Sequence, residues 1–381
     1  MLRYFNEPTE QNPVYPCGIC SRKVGQRMKA VQCDLCNFWN HIKCDGVDNK
    51  TYEKLKKSNP SDLYYCKLCK EEIFAFQTLS DEQYQASIVR NVDINENLNL
   101  RLTSSPALKF LFNDLDNHNK NESTAINCSY YDFSTPIPNS NKTNNNSMFH
   151  LNLASLGLHK EELETALSLL DIKFDVIAVT ETKIRAGIEP IYDPSFTGYK
   201  HFQTPTECGK GGALLYVKDD IDCKRRKDLE KIMYKACELE SVFIEVINKG
   251  KKNEIYASIY RHPSMEIDDF TNNFFEKFIL KLSKENKIAY LMGDFNIDLL
   301  KIESDDNICN FYNILTSNLF VPHITLPTRH TSHSKTLIDN IFSNDPNFSK
   351  GISGNFTFSI SDHFPQFLLM PKEGNRPPKK T

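Results

Sequence analysis

The sequence predicts an α/β fold: a layered sandwich of sheets and helices in the C-terminal part of the chain, with a small metal-bound finger at the N-terminus. After residue 148, short apolar segments typical of strands outnumber helical patterns, and polar residues recur where these strands end. Near the N-terminus, seven of the twelve cysteines lie between Cys17 and Cys69, in closely spaced pairs. At 381 residues, the chain is long enough for two domains and a linker.

Composition argues against two classes of protein, membrane-spanning proteins and globally basic DNA-binding proteins. Residues 1–11 are polar and lack the apolar core of a signal peptide, and there is no long apolar run, so we expect an intracellular, soluble protein that contacts no membrane. The formal net charge is -3, which leaves no global basic field. Any contact with nucleic acid would be local, through the basic cluster 224–227 or the basic tail 372–381, and each could equally be solvated surface charge.

The N-terminal cysteines have the spacing of zinc ligands. Pairs of this kind in a chain without a signal peptide argue for zinc rather than disulfides. Eight ligands suffice for two tetrahedral Zn²⁺ ions, each closed by four protein ligands and therefore structural. In a short segment with few aliphatic side chains, the metals replace the missing core. The predicted zinc ligands are Cys17, Cys20, Cys33, Cys36, His41, Cys44, Cys66 and Cys69.

The order of these ligands over residues 14–72 resembles the PHD finger. Trp39 lies two residues before His41, and Tyr64 lies two before Cys66, where the family usually has a second tryptophan. A RING finger shares the cross-brace, but its histidine usually comes one ligand earlier. The resemblance implies interleaved ligation, with Cys17, Cys20, His41 and Cys44 on one ion and Cys33, Cys36, Cys66 and Cys69 on the other.

The finger lacks a clear aromatic cage. Many PHD fingers bind methyl-lysine of histone tails by cation–π attraction, yet residues 21–32 contain no aromatic side chain and Tyr15 could supply only one wall. We therefore expect a structural or nucleic-acid-contacting finger rather than a methyl-lysine reader, with a histone tail or an RNA open as its partner. The simplest interpretation of Trp39 is packing against the zinc sites.

The middle of the chain predicts a connection between the two domains. Apolar residues recur loosely at helical spacing over 73–116, which predicts a helical connector. Residues 117–147 are rich in Asn, Ser and Thr, and such a composition cannot bury enough apolar area to order itself, so it predicts a linker.

A new pattern begins at Met148. Amphipathic helices are predicted over 160–170 and 268–282. Strands are predicted over 148–153, 175–179, 212–217, 242–246, 254–260, 288–292 and 337–342.

Polar residues at the ends of these strands form an ordered series. Its centre is the tetrapeptide Gly-Asp-Phe-Asn at 293–296, which by itself is as typical of an ordinary turn as of a metal site. The full series resembles the endonuclease/exonuclease/phosphatase family, and over residues 148–371 the resemblance implies a four-layered α/β sandwich with paired sheets between helices. The series consists of Asn152, Glu181, Tyr260, Asp294, Asn296, Asp339, Asp362 and His363.

Within that family, the sequence is most similar to the apurinic-like endonuclease of non-LTR (LINE-type, jockey-like) retrotransposons, some of which carry a PHD-like finger. The resemblance implies a nuclear or nucleo-cytoplasmic, Mg²⁺-dependent (or Mn²⁺-dependent) endonuclease that nicks DNA and leaves a 3′-hydroxyl, with element RNA as a further partner. A reverse transcriptase usually follows in such elements, and we do not expect one in this chain. The resemblance rests on the segments 150–152, 174–177, 180–182, 259–261, 327–329, 337–339 and 360–365.

The resemblance also assigns roles around the metal and the attacking water. Glu181 is a hard oxygen ligand suited to Mg²⁺, and Asp362 assists it or holds a second ion. Asp294 orients or deprotonates the water, while the neutral amides of Asn152 and Asn296 hold groups by hydrogen bonds.

The remaining residues of the series are expected at the scissile phosphate. Asp339 orients His363 by fixing the imidazole tautomer and stabilising its charged form. His363 and Tyr260 then contact the phosphate, although a tyrosine at a strand end could equally be packed in the core. Arg261 and Arg329 could bind DNA phosphates, and a salt bridge is an equal alternative for each.

Three hypotheses stay open from the sequence. The first is an endonuclease of a mobile element. The second is an enzyme of the same fold with another substrate, such as an abasic-site repair enzyme, a lipid phosphatase or a sphingomyelinase. The third is a zinc-finger binding protein whose nuclease domain is vestigial.

Overall fold

The computed structural model gives the fold of both parts of the chain. The predicted connector 73–116, the tail beyond residue 372 and the zinc ligands Cys36 and Cys69 lie outside the described residues. The structure describes residues 15–20, 22–25, 28–33, 39–56, 64–67, 70, 126–138, 145–170, 172–187, 193–330, 334–358 and 360–372.

The finger consists of two short hairpins and a helix. Strand β1 (Tyr15–Pro16) pairs with β2 (Lys23–Val24), and β3 (Ala30–Gln32) pairs with β4 (Trp39–His41). Helix α1 (Asn49–Leu55) follows.

Little apolar area supports the finger. Trp39 is buried and packs with Val24 and Ala30 against Cys17, as the sequence suggested. A second small cluster contains Tyr52 and Tyr64 with two aliphatic residues. Because clusters of this size bury little surface, bound metal would be the main source of stability for the finger.

The first large sheet has seven strands in the order β5-β18-β19-β6-β7-β9-β8. The pairs β6–β7 and β5–β18 are parallel, and the other neighbours are antiparallel. The strands are β5 (Asn127–Tyr131), β6 (Asn145–Asn152), β7 (Val176–Thr180), β8 (Tyr199–Thr204), β9 (Ala213–Lys218), β18 (Ile352–Phe356) and β19 (Gln366–Pro371).

The second sheet has six strands in the order β10-β11-β12-β13-β17-β14, with β12 and β13 parallel. A separate two-stranded ribbon pairs β15 (Arg329–His330) with β16 (Lys335–Thr336). The strands of the sheet are β10 (Cys223–Arg225), β11 (Leu239–Val246), β12 (Glu254–Arg261), β13 (Ile288–Asp294), β14 (Val321–Pro322) and β17 (Asp339–Ser343).

Helices cover the outer faces of the two sheets. Helix α4 (Ile267–Asp269) continues into α5 (Glu276–Glu285) through a π-helical segment, Phe270–Phe275, so the predicted helix 268–282 is present. The predicted helix 160–170 begins earlier, after Ser155. The helices of the sandwich are α2 (Leu156–Leu169), α3 (Lys227–Glu230), α4 (Ile267–Asp269), α5 (Glu276–Glu285) and α6 (Asp306–Ser317), with 3-10 turns at Leu299–Lys301 and Phe348–Lys350.

Two apolar cores define four layers. Alternate side chains of β6 and β7, such as Phe149 and Ile177, pack against α2, whereas their neighbours Met148 and Val176 belong to the core shared by the two sheets. That core continues through the second sheet to side chains of α5 and α6 such as Phe278. The order helix, sheet, sheet, helix confirms the predicted α/β sandwich.

The linker prediction is wrong for residues 127–131. These residues form β5, which pairs in parallel with β18, and Cys128 and Tyr131 are buried. An edge strand obtains its hydrogen bonds from its neighbour and needs few apolar residues, so the polar composition of the region concealed it. Strand β6 also begins at Asn145, before the predicted start at Met148.

Gly293 allows β13 to lie close against β12. A Cβ added there would fall on the backbone carbonyl of Ile259, which cannot move away without separating the parallel strands. We predict that Gly293→Ala lowers the free energy of unfolding by about 1–3 kcal/mol, the usual cost of overpacking, measured by urea denaturation. Gly187 has a positive φ of 73° with nothing near its Cβ position, so Gly187→Ala tests backbone strain alone and is expected to cost less, about 1 kcal/mol. Equal effects would contradict the steric explanation.

Candidate active site

Five strands of the two sheets deliver polar residues to one rim of the sandwich. In the first sheet Asn152 lies beside Thr180, the residue before Glu181, at the ends of the parallel strands β6 and β7. In the second sheet Tyr260 lies beside Asp294 at the ends of β12 and β13. Asp294 also faces Asp339, the first residue of the antiparallel strand β17. Of the predicted series, the residues that line a common cleft are Asn152, Glu181, Tyr260, Asp294, Asn296, Asp362 and His363.

Asn152 joins the two sheets across the cleft. Its Nδ2 donates to Glu181 Oε2 at 3.1 Å and to Asp294 Oδ2 at 2.8 Å. Its Oδ1 accepts from the backbone N–H of Ala154 at 3.0 Å, which fixes the orientation of the amide. Ala154, Glu181 and Asn296 all have positive φ, near 50–57°. Non-glycine residues in this conformation cost energy and cluster at functional sites.

Asp294 is a buried carboxylate held by two hydrogen bonds. Its side chain is 1% exposed, and Oδ1 accepts from the Asn296 backbone N–H at 2.8 Å. Burial, and then the charge of Asp339, raise the pKa of Asp294 to about 7. A carboxylate with this pKa can take a proton from water near neutral pH.

Asp339 and His363 form a buried pair. The Asp339 Oδ2 atom lies 2.8 Å from His363 Nδ1 and accepts from Thr328 Oγ1 at 2.7 Å. Burial alone would lower the pKa of His363, but the charges of Asp339, Asp362 and Asp294 raise it to about 10. The imidazole is therefore charged at neutral pH, with Nδ1 bound to Asp339 and Nε2 as its second donor. Thr328, which the sequence did not single out as a site residue, completes this pair.

Asp362 lies beside His363 and is paired with an arginine. Arg329 Nε donates to its Oδ2 at 2.7 Å, and Asp362 Oδ1 lies 3.8 Å from His363 Nε2. Burial would raise the pKa of Asp362, but His363 and Arg329 hold it below its usual value. Arg329 therefore makes a salt bridge in the structure, which is one of the two alternatives that the sequence left open for it.

Arg261 is buried and does not line the cleft, so the alternative that it binds DNA phosphates is wrong. Its side chain is 2% exposed and donates to the backbone carbonyls of Phe295, Met265 and Asn296. In return, Asn296 Nδ2 donates to the Arg261 carbonyl at 2.7 Å. A strand end in the sequence does not show which way a side chain points. Arg261 and Asn296 together hold the loop that follows Asp294.

Tyr260 is 4% exposed but reaches the cleft. Burial, and then the charges of Glu181 and Asp294, raise its pKa well above the usual value, so the phenol keeps its proton. Its ring meets the ring of His262 edge to face at 4.7 Å between centroids. Both sequence interpretations of Tyr260, packing and site contact, are therefore compatible with its position.

The finger brings one set of four predicted zinc ligands together. The ligand atoms of Cys17, Cys20, His41 and Cys44 all lie within 4.8 Å of one another. His41 Nδ1 is 3.5 Å from Cys20 Sγ and 3.7 Å from Cys44 Sγ, while Nε2 lies 3.2 Å from the Lys23 carbonyl. Three thiols and an imidazole anchored through its other nitrogen fit a structural zinc ion.

The second predicted set is described in part. The backbone N–H of Cys66 donates to Cys33 Sγ at 3.2 Å, so these two predicted ligands are close. Their predicted partners Cys36 and Cys69 lie outside the described residues.

The basic cluster 224–227 is largely neutralised by acidic partners. Arg226 binds Asp228, Glu245 and Glu285 at 2.6–2.8 Å, and Arg225 binds Glu230 at 2.8 Å. This favours surface ion pairing over DNA contact for the cluster.

The same network predicts a pH dependence of stability. Burial would raise the pKa of Glu245, but hydrogen bonds from Asn253, Lys287 and Arg226 lower it from 4.5 to about 2. A carboxyl whose pKa is lower in the folded chain stabilises the fold above about pH 4.5, and this contribution is lost as the pH falls toward 2. We predict that the unfolding temperature of the wild type falls over this range and that Glu245→Gln shows a smaller fall. Parallel curves for the two proteins would contradict the assignment.

Within the described residues, no helix combines the length and the apolar character needed to cross a membrane.

Residues 14–73 match the family model described as "Pygopus, PHD-type zinc finger". Among curated proteins, the chain is 23% identical over 255 residues to Transcription factor BYE1 of Saccharomyces cerevisiae (strain YJM789), a match that covers 62% of this chain and 38% of that protein. The chain thus spans about two fifths of the length of this curated relative.

Several solved structures are similar to the chain. The endonuclease domain of TRAS1, a telomere-specific non-LTR retrotransposon, is 15% identical with a TM-score of 0.47, over 60% of this chain and 100% of that one. AP endonuclease LMAP from Leishmania major is 13% identical with a TM-score of 0.49, and the match covers 63% of this chain and 92% of that one. The Xenopus laevis APE2 catalytic domain is 16% identical with a TM-score of 0.42, and the match covers 60% of this chain and 94% of that one. The family-model match over residues 14–73 shows that the chain carries a PHD-type zinc finger at its N-terminus, and the α/β sandwich follows it.

Proposed function

We propose that the sandwich domain is a Mg²⁺-dependent DNA endonuclease that hydrolyses a phosphodiester bond and leaves a 3′-hydroxyl. The observation that carries the proposal is the convergence of two prearranged groups on one cleft. One is Asp294 with its raised pKa, held by Asn152, and the other is the charged imidazole of His363, held by Asp339. A base and a cationic donor in one cleft suit attack of water on a phosphate.

The residues at the rim fit a divalent cation. Glu181 offers a carboxylate on the cleft, oriented by Asn152, and Asp362 offers a second one. Carboxylate oxygens are the ligands that Mg²⁺ and Mn²⁺ prefer, with the remaining positions taken by water and phosphate. Asp362 is already balanced by Arg329, so we assign Glu181 as the principal ligand and Asp362 as the assisting one. When bound, the cation neutralises charge on the phosphate and polarises it for attack.

Asp294 takes the proton of the attacking water in this proposal. The two hydrogen bonds that it accepts, one on each oxygen, hold the carboxylate in one orientation. Burial both raises its basicity and excludes competing solvent. Asn152 is a neutral amide, so it positions Asp294 and Glu181 without exchanging protons with either.

His363 and Tyr260 stabilise the charge that develops on the phosphate oxygens. His363 keeps its proton because of Asp339, and Tyr260 keeps its proton because it is buried near carboxylates. Both groups are thus hydrogen-bond donors before the substrate arrives, and donors prearranged in this way lower the barrier without reorganising during the reaction.

The biological setting that we propose is a non-LTR retrotransposon open reading frame. Support comes from the motifs around Asn152, Glu181, Tyr260, Asp339 and His363, and from the zinc finger that precedes them. The finger would contact protein or nucleic acid, with a histone tail or element RNA as candidate partners. Action on chromosomal DNA would place the protein in the nucleus.

A nicking assay on two duplexes tests this proposal against an abasic-site enzyme of the same fold. The full chain is incubated with Mg²⁺ and a labelled duplex that is either intact or contains one abasic site. We expect the intact duplex to be cut, with product ends that a DNA polymerase extends directly, because that requires a 3′-hydroxyl. Cutting confined to the abasic duplex would favour the repair enzyme, and ends that a polymerase cannot extend would contradict the stated chemistry.

A further inference from the structure

A second cluster of metal-ligating side chains lies beside the cleft, and the proposed nuclease mechanism does not use it. Ligand atoms of Cys208, Glu240 and His262 all lie within 4.8 Å of one another. Cys208 belongs to the loop between β8 and β9, Glu240 is in β11, and His262 follows β12. Cys237, in the turn before β11, neighbours Cys208 but does not belong to this group.

We propose that Cys208, Glu240 and His262 bind a Zn²⁺ ion that is distinct from the ions of the finger and from the catalytic cation. A thiolate, an imidazole and a carboxylate are ligand types of protein zinc sites, and three protein ligands leave the fourth tetrahedral position to water. The sulfur ligand selects against Mg²⁺, which prefers oxygen.

The burial and the hydrogen bonds of Glu240 support a bound cation at this position. Its side chain is 1% exposed, and its Oε2 lies 2.7 Å from His262 Nε2. Its other oxygen, Oε1, is buried and has no hydrogen-bond partner among the described residues. A buried carboxylate oxygen without a partner costs free energy, and a bound cation would remove that cost.

The neighbouring loop leaves room beside the same pair of atoms. A Cβ added at Gly211 would lie 2.5 Å from His262 Nε2 and 2.7 Å from Glu240 Oε2. Glycine at this position therefore keeps the space next to both ligand atoms free of side chain. Zinc binding would displace the proton of the hydrogen bond between His262 Nε2 and Glu240 Oε2 and the proton of the Cys208 thiol.

The proposed ion would brace one wall of the cleft. Glu240 lies directly opposite Tyr260 in the pairing of β11 with β12, and the His262 ring contacts the Tyr260 ring. Because the three ligands come from separate segments, one ion would tie the loop before β9 to the start of β11 and the end of β12. The role of the ion would be to position Tyr260. That role rests on the proposed function, whereas zinc binding itself does not.

Metal content of the full chain tests the proposal independently of nicking. We expect Glu240→Gln, Cys208→Ser and His262→Gln each to lose one zinc per chain relative to the wild type, measured by native mass spectrometry. Cys223→Ser, which removes a half-buried thiol in β10, is expected to keep the wild-type content. Wild-type zinc content in folded variants at all three positions would overturn the proposal.

A second measurement needs no variant and so does not depend on the folding of mutants. Cys208 in the zinc-loaded wild type is expected to react slowly with an alkylating reagent and at least tenfold faster after chelation, whereas Cys223 reacts equally in both states. Identical rates with and without chelator, or a Cys208–Cys237 disulfide in protein purified with zinc and without oxidant, would contradict a zinc site.

Discussion

Asp294→Ala is expected to lower the rate of Mg²⁺-dependent plasmid nicking by on the order of 10²–10⁴-fold, the usual range for removal of a general base. Asp294 is buried, accepts hydrogen bonds from Asn152 and from the backbone of Asn296, and has a pKa raised to about 7. Alanine can neither take a proton nor hold the two donors in place. The measurement is the initial rate at which supercoiled plasmid becomes open circular.

Asp345→Ala is the matched control for this variant. Asp345 is also a buried carboxylate, and its Oδ2 accepts from the hydroxyl of Tyr290, in the first half of the strand that ends at Asp294. We expect Asp345→Ala to lower the unfolding temperature but to keep a nicking rate near that of the wild type. Full activity in Asp294→Ala, or an equal loss in folded Asp345→Ala, would contradict the role of Asp294.

His363→Gln is expected to slow nicking by about 10²–10³-fold, the cost of losing one prearranged donor at a transition-state oxygen. Glutamine can still donate a hydrogen bond to Asp339, so the buried carboxylate keeps a partner and the fold is expected to persist. The lost feature is the positive charge that Asp339, Asp362 and Asp294 maintain on the imidazole. Nicking rates are compared at equal concentrations of folded protein, checked by circular dichroism.

His323→Gln separates this effect from the general loss of a buried histidine. His323 is 1% exposed, and its Nε2 lies 2.7 Å from Ser343 Oγ within the second sheet. Burial lowers its pKa to about 3, so it is neutral and carries no charge to the cleft. We expect reduced stability and near wild-type nicking. A similar loss of nicking in both histidine variants would indicate a structural rather than a catalytic role for His363.

The sequence predicted the rim of the sandwich because strand periodicity and strand ends are local signals. A buried run such as 288–292 followed by Asp294 shows where a strand ends, and parallel neighbours end at the same edge. Those two facts explain why Tyr260 and Asp294 lie side by side in the second sheet. Asn152 and Asp294, which 142 positions separate, meet instead because the two sheets are stacked on each other.

Other features depended on contacts that no local pattern reveals. Thr328 supports Asp339 from a loop, and a lone threonine has no distinguishing neighbours in sequence. Arg261 binds backbone carbonyls because its side chain turns inward, a direction that the sequence does not specify. Strand β5 escaped prediction because its order comes from pairing with β18 rather than from its own composition.

The cluster around Glu240 illustrates the same limit. Cys208 and His262 stand singly in the sequence, without the spacing that identified the finger ligands. The folded sheet brings them together because Glu240 and the strand before His262 are paired neighbours. Long-range pairing therefore creates a candidate metal site that motif spacing cannot show.

Conversion of supercoiled plasmid to open circles by the full chain, with Mg²⁺ and then with excess EDTA, tests whether the sandwich domain is a metal-dependent endonuclease. We expect open circles with Mg²⁺, none with EDTA, and recovery when Mg²⁺ is added back, because Glu181 and Asp362 require a cation between them and the phosphate. Nicking that is unchanged in EDTA, or correctly folded protein that fails to nick with either Mg²⁺ or Mn²⁺, would contradict that function.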